Sequence, residues 1–184
     1  EYIGTGGSGG FAGGGALKLG SNSAVTVNGV TSSVTSSSSN ITITSNYFSF
    51  GASSAINTTG SLTIQPYDAS FASMQTLSNV SFASSLSQIT LGKSGNTGGI
   101  TIGSSLASAG ALTIYGGRVI INTNISVTAV GNINVTALYA AADYGLYLYS
   151  GSSIESTGGT LSITAGSVGS TGIYTTSATL RSYG

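Results

Sequence analysis

Pairs of apolar residues two positions apart recur along almost the whole chain, and no segment carries the i, i+3, i+4, i+7 apolar stripe of an amphipathic helix. Most pairs enclose Thr, Ser or Asn. Because successive side chains on a strand point to opposite faces, each pair predicts a short strand with one apolar face. We therefore predict an all-β protein with essentially no helix. The pairs are Leu17/Leu19, Val25/Val27, Ile41/Ile43, Phe48/Phe50, Leu62/Ile64, Val80/Phe82, Ile89/Leu91, Ile100/Ile102, Leu112/Ile114, Val119/Ile121, Ile125/Val127, Ile133/Val135, Leu146/Leu148 and Leu161/Ile163.

A weak internal repeat selects among all-β architectures. The segments GALKLG, GSLTIQ, GALTIY and GTLSIT share the pattern Gly-small-Leu-x-Ile/Leu, and their leucines, at positions 17, 62, 112 and 161, lie 45, 50 and 49 residues apart. A period near fifty residues is typical of a solenoid. With several short strands in each period, one repeat is expected to hold two or three coils. The sequence thus favours a parallel β-helix (β-solenoid), with an antiparallel β-sandwich as the alternative.

Two segments differ from the remainder of the chain. Residues 1–15 are dominated by Gly, which predicts either a linker or an extended segment ordered against a neighbour. Residues 31–39, TSSVTSSSS, are expected to form a polar loop. The domain prediction is consequently a Gly-rich segment at 1–15 and one β-solenoid domain at 16–184.

Charge and composition restrict the partners. Charged residues make up 4% of the chain, the formal net charge is zero, and Lys and Arg total four. Such a chain has no basic surface for nucleic acid or an anionic membrane. No apolar run approaches the length of a membrane-spanning helix, so membrane insertion is not expected. Without Cys or His, the usual ligands for zinc and haem are missing.

The acidic residues give no basis for catalysis. Acid–base chemistry needs at least two ionisable groups that can be brought together, and the chain holds only Glu1, Asp68, Asp143 and Glu155, well separated in sequence. Asp143 and Glu155 could lie on adjacent coils, but no third acid, His or Lys accompanies them. We predict no enzyme activity, no catalytic residue, no cofactor and no metal site.

A cluster of tyrosines is the one candidate site. Tyr139, Tyr144, Tyr147 and Tyr149 lie within eleven residues, and the last two alternate with Leu146 and Leu148. If the leucines point inward, both alternating tyrosines point outward. These tyrosines could form an interaction surface or could simply be the exposed aromatic residues common on β surfaces.

The stretch 91–137, LGKSGNTGGITIGSSLASAGALTIYGGRVIINTNISVTAVGNINVTA, resembles the repeat region of filamentous-haemagglutinin-type exoproteins and related bacterial autotransporter adhesins. The similarity extends over about residues 55–180 and consists of apolar-x-apolar steps, Gly-Gly and apolar-x-Asn. It implies a right-handed parallel β-helix on a bacterial surface, and it transfers no functional residues. The family's Asn-Pro motifs are missing here, so the resemblance implies no secretion route.

Together these features lead to an expected function. We expect a secreted, extracellular or cell-surface structural protein whose β-solenoid forms a stalk or a self-assembling filament subunit that supports adhesion. The expected partner is a second copy of the chain, stacked end to end through the Gly-rich start and residues 172–184. The alternative is a module that binds host or environmental glycans through the tyrosine cluster.

Overall fold

The protein is all-β, and all strand pairings among its described residues are parallel. The structure, a computed structural model, describes residues 11–13, 17–27, 33–36, 38, 40–51, 54–140, 143–167 and 172–184. The described residues contain twenty strands and no helix, and hence no helix that could cross a membrane. Because an up-and-down sandwich requires antiparallel neighbours, the parallel pairing confirms the parallel β-helix and shows that the sandwich alternative is wrong.

The strands are mostly short. The first ten are β1 (Phe11–Gly13), β2 (Leu17–Val27), β3 (Ser33–Ser36), β4 (Ile41–Phe50), β5 (Ser54–Asn57), β6 (Ser61–Gln65), β7 (Gln75–Leu77), β8 (Val80–Phe82), β9 (Gln88–Leu91) and β10 (Ile100–Ile102). The second ten are β11 (Leu106–Ser108), β12 (Ala111–Gly116), β13 (Val119–Ile121), β14 (Ser126–Ala129), β15 (Ile133–Tyr139), β16 (Leu146–Leu148), β17 (Ser153–Ser156), β18 (Leu161–Ser167), β19 (Ile173–Thr175) and β20 (Thr179–Ser182).

Each coil from β9 onward contributes one strand to each of three sheets. The first sheet runs β2-β4-β6-β9-β12-β15-β18, the second β7-β10-β13-β16-β19 and the third β11-β14-β17-β20. A further sheet, β1-β3-β5-β8, serves the earlier coils. Register partners on neighbouring coils lie 19 to 28 residues apart in sequence. Each coil thus contacts mainly the coils before and after it, as in other solenoids.

The register of the first sheet explains the period of the sequence. One column of register partners contains, in order, Leu17, Ile41, Leu62, Ile89, Leu112, Ile133 and Leu161. The four repeat leucines occupy alternate members of this column. A step of about fifty residues therefore covers two coils.

The core is a set of stacked aliphatic columns. Ile114 and Val135 follow one another in the first sheet, and Ile102, Ile121 and Leu148 in the second, and all five are at most 1% exposed. The residues between them face outward, as the period-two pattern predicts. Full burial of one such side chain contributes about 1.5–3 kcal/mol before chain entropy is counted.

The prediction of a polar loop at 31–39 is wrong for its centre. Ser33–Ser36 form β3, which pairs with β1 and β5. Val34 lies in register with Phe11 and Ile56. The backbone hydrogen bonds of a coil do not depend on side-chain hydrophobicity, so a Ser-rich segment with a single Val can form a strand between two others. Of the Gly-rich segment 1–15, only β1 lies within the described residues.

Corners between the first and second sheets differ most in length. They span residues 66–74 after β6, 92–99 after β9 and only 117–118 after β12. Gly92 begins one of them with a φ of +78°, and a Cβ there would lie 2.1 Å from the carbonyl oxygen of Tyr115. Asn96 stabilises the same corner, because its side-chain amide donates to the Tyr115 carbonyl at 2.8 Å. Corner residues therefore form hydrogen bonds to the next coil, as the strands do.

Candidate functional site: the tyrosine cluster and the last coil

The outward-facing residues of the second sheet change in type from the earlier coils to the later ones. These residues, in register, are Thr76, Thr101, Ile120, Tyr147 and Tyr174. The threonines of the earlier coils thus give way to Ile120 and then to two tyrosines whose rings are in contact at a tilt of 46°. Leu146 and Leu148 are fully buried, so Tyr147 and Tyr149 lie on the outer face.

The structure brings three of the four predicted tyrosines into direct ring contact. Ring centroids lie 5.3 Å apart for Tyr144 and Tyr147, in an edge-to-face arrangement, and 6.2 Å apart for Tyr147 and Tyr149, which are stacked. Tyr174 of the next coil joins them, at 5.0 Å from Tyr144 and 5.4 Å from Tyr147. Such contacts contribute about 0.5–1.5 kcal/mol each beyond the area they bury.

Tyr139 is connected to the others through Arg118. The guanidinium carbon lies 4.2 Å from the Tyr139 ring centroid and 5.3 Å from that of Tyr147. Arg118 comes from the corner after β12, one coil earlier, and it also forms an ion pair with Asp143. A planar guanidinium can stack on aromatic rings and bind a carboxylate at the same time. We call Arg118, Tyr139, Asp143, Tyr144, Tyr147, Tyr149 and Tyr174 the tyrosine cluster.

Asp143 is the acceptor at the centre of the tyrosine cluster. Its carboxylate accepts hydrogen bonds from the Tyr147 hydroxyl and, at 2.8 Å, from the Tyr144 backbone N–H. These bonds, the Tyr147 bond first, lower the pKa of Asp143 below its ordinary value, and Arg118 lowers it further. The same carboxylate raises the pKa of the Tyr147 phenol. The resting state is thus an ionised Asp143 beside a protonated Tyr147.

Sequence reasoning missed Arg118 and Tyr174. Arg118 lies 25 residues before Asp143, and Tyr174 is the register partner of Tyr147 on the next coil. Both separations equal one coil, so a known coil length would have indicated them. The pairing considered from sequence, Asp143 with Glu155, does not occur, because Glu155 lies in the third sheet in register with Arg181.

The tyrosine cluster contains one carboxylate, that of Asp143, which Arg118 and two hydrogen-bond donors hold. Across the part of the chain that the structure describes, no three His, Cys, Asp or Glu side chains are close enough to hold a metal ion. What the arrangement can do is hold consecutive coils together and present aromatic rings, since Tyr149 is 40% and Tyr174 37% exposed.

The last coil is the second candidate. Among the described strands, β18, β19 and β20 each stand at the end of their sheet, with a paired strand on one side only. Ile173 and Leu180 are 38% and 42% exposed, whereas their register partners Leu146 and Ile154 are fully buried. The side of this coil away from the rod therefore combines strand edges with inward-type aliphatic side chains.

An irregular point occurs in the second sheet near its start. Among the described strands, β7 pairs only with β10. The buried side chain of Gln75 accepts a hydrogen bond from the Phe48 backbone N–H at 2.9 Å. Beside it is a groove lined in part by Tyr47, Phe50 and Met74. Here a side-chain amide takes the place of main-chain pairing between coils.

Comparison with known proteins gives no relative: no protein-family description, no curated protein and no solved structure matches this chain.

Proposed function

We propose that the protein is an extracellular structural protein, a β-helical stalk or filament subunit that supports adhesion at a cell surface. The mechanism is mechanical. Parallel strands and aliphatic columns make a rod, and copies of the chain associate end to end so that the strands of one continue into the next. The neutral surface, rich in Ser and Thr, suits a rod whose sides are exposed to solvent and whose ends bind other copies of the chain.

The observation that carries the proposal is the partial exposure of Ile173 and Leu180, at inward positions of strands that have a partner on one side only among the described strands. Unpaired strand edges attract further strands, and soluble proteins commonly protect them with charge or with a covering element. Residues 161–184 contain one charged side chain, Arg181, in register with Glu155 on the outer face of the third sheet. No charge therefore lies at the inward positions of this coil, where Ile173 and Leu180 are 38% and 42% exposed.

The geometry of the contact determines the assembly. If the last coil meets the first coil of another copy, the interface is head to tail and a filament grows. If two last coils meet, the interface is self-complementary and assembly stops at a dimer. The proposal is the head-to-tail contact. The Gly-rich start, its expected other half, lies largely outside the described residues.

A charge placed on the open end tests the proposal. Leu180→Asp should abolish filaments in negative-stain electron microscopy and shift sedimentation to monomer, because an ionised carboxylate would be buried without a partner. The matched control is Ser162→Asp, which adds the same charge on the outer face of the same coil. The control should still form filaments. Wild-type protein that remains monomeric at high concentration would refute the proposal, and dimers alone would refute the head-to-tail contact.

A second candidate function is glycan binding by the tyrosine cluster. Its support is the exposure of the Tyr149 and Tyr174 rings on one face, since aromatic rings provide flat apolar surfaces with a polar edge. Replacement of Tyr147 and Tyr149 by Ser should abolish retention on a glycan array while the far-ultraviolet circular dichroism stays that of a β protein. Loss of both signals together would assign these tyrosines to the fold.

A further inference from the structure

We propose that the tyrosine cluster is an oxidative modification site, at which a one-electron oxidant such as a peroxidase with hydrogen peroxide forms a dityrosine bond between the last two coils. The bond joins Tyr174 to Tyr144 or Tyr147. This inference goes beyond the rod function, and it does not depend on self-association because both partners belong to one chain.

The first support is the position of the three rings. Tyr174 lies with its centroid 5.0 Å from Tyr144 and 5.4 Å from Tyr147, and both pairs are tilted by 46°. Tyr147 and Tyr174 are also register partners in adjacent strands, so the parallel ladder holds their backbones side by side. Coupling therefore requires side-chain rotation and no change of fold.

The second support is access. Tyr174 is 37% exposed and lies on the outer face of the second sheet, in register with Tyr147. A diffusible oxidant or the edge of a peroxidase can reach its ring. Tyr144 and Tyr147 are partly buried behind it. A radical that forms on any of the three rings thus has a second phenol in contact.

The third support is the proton acceptor beside Tyr147. Oxidation of a phenol releases an electron and a proton, and the Tyr147 hydroxyl already donates a hydrogen bond to the Asp143 carboxylate. Asp143 is in turn held by Arg118, which keeps it ionised and in place. Asp143 can therefore accept the phenolic proton of Tyr147 as the electron leaves. This proton acceptor favours radical formation on Tyr147 over radical formation on a surface tyrosine that has none.

The chemistry balances with peroxide as the oxidant. Each of two tyrosines loses one electron and one phenolic proton, giving two phenoxyl radicals. A carbon–carbon bond forms between ring carbons ortho to the oxygens, and the two ortho hydrogens move to the oxygens as the rings regain aromaticity. The two electrons and two protons reduce one hydrogen peroxide to two waters. The product has lost two hydrogens relative to the starting chain.

The test uses the full chain and its monomer fraction. Protein is treated with peroxidase and hydrogen peroxide, the monomer is isolated by gel filtration, and dityrosine is followed by its fluorescence and by mass spectrometry of a thermolysin digest. We expect a cross-linked peptide pair, two hydrogens lighter, that joins a peptide containing Tyr144 or Tyr147 to one containing Tyr174. Amide exchange in β19 should become slower in the cross-linked monomer.

Conservative variants make the outcome specific. Tyr174→Phe keeps the ring and its packing but removes the phenol, and it should eliminate the link between coils. Tyr67→Phe removes an exposed phenol four coils before Tyr174 and should leave the link unchanged. The proposal is overturned if the wild-type monomer yields no link between coils, if only Tyr147–Tyr149 links form, or if Tyr174→Phe gives the wild-type yield.

Discussion

The stacked columns of the β-helix lead to a quantitative prediction: the loss of stability on substitution should depend on whether a side chain lies on the inner or the outer face. Ile120 and Ile121 are neighbours in β13, yet Ile121 is fully buried between Ile102 and Leu148, while Ile120 lies on the outer face between Thr101 and Tyr147. The same substitution at the two positions should therefore have very different effects. The comparison keeps residue type, strand and distance from the ends constant.

The magnitude follows from the atoms removed. Ile121→Ala deletes three carbons, worth about 2.4 kcal/mol at about 0.8 kcal/mol per buried carbon, and the unfilled cavity raises the loss toward 4 kcal/mol. At Ile120, partial solvent exposure should keep the loss below about 1 kcal/mol. Because the neighbours of Ile121 in its column, Ile102 and Leu148, are aliphatic, the cavity at Ile121 should stay dry.

Urea denaturation followed by far-ultraviolet circular dichroism measures both losses. Solenoids can unfold in parts, so amide hydrogen exchange of β13 and its neighbours β10 and β16 should accompany it. We expect Ile121→Ala to accelerate exchange in all three strands and Ile120→Ala to leave it nearly unchanged. Equal losses at the two sites, or a greater loss at Ile120, would refute the assignment of inward and outward faces.

Two further predictions concern the tyrosine cluster and a corner. Folding lowers the pKa of Asp143, so the stability that this carboxylate contributes to the folded state should be complete above the ordinary pKa of 3.8 and be lost as the pH falls below it. Folding raises the pKa of Tyr147, so the stability that this phenol contributes should be complete below the ordinary pKa of 10.0 and be lost as the pH rises beyond it. Near-ultraviolet circular dichroism should thus show tyrosine packing between these limits, and Asp143→Asn should remove the acid limb; an unchanged acid limb would contradict the assignment. Gly92→Ala should lower the free energy of unfolding, measured by urea denaturation, by about 1–3 kcal/mol more than Gly95→Ala does. Both glycines have a positive φ, but only at Gly92 would a Cβ clash with a backbone carbonyl. Equal losses would mean that backbone strain alone determines the effect.

The sequence alone predicts the inward columns well. Leu112/Ile114 and Ile133/Val135 were identified as strand pairs from their spacing, and they occupy the core at 0–1% exposure. This works because period-two alternation is a local property of the chain and needs no knowledge of the neighbours. Once most segments carry it and helical stripes are missing, a parallel or antiparallel β fold is the only choice that remains.

The contacts between coils could not be predicted in the same way. Arg118 meets Asp143 and Tyr147 meets Tyr174 because of the coil length at that point, and corners change that length by several residues from one coil to the next. Nor does hydrophobicity locate β3, whose Ser-rich sequence forms a strand through the backbone bonds of its neighbours. The register between neighbouring coils thus depends on the lengths of many coils together, and no single segment of the sequence determines it.

The unequal corners after β6, β9 and β12 have a practical consequence. Residues 66–74 take the chain around a bend that residues 117–118 turn in two steps, and yet the columns on either side stay aligned. Within this corner Phe71 is buried against Phe48, whereas residues 67–69 are exposed. The scaffold could accordingly carry a foreign epitope or a recognition peptide in place of residues 67–69, with Phe71 retained, displayed at a fixed height along the β-helix.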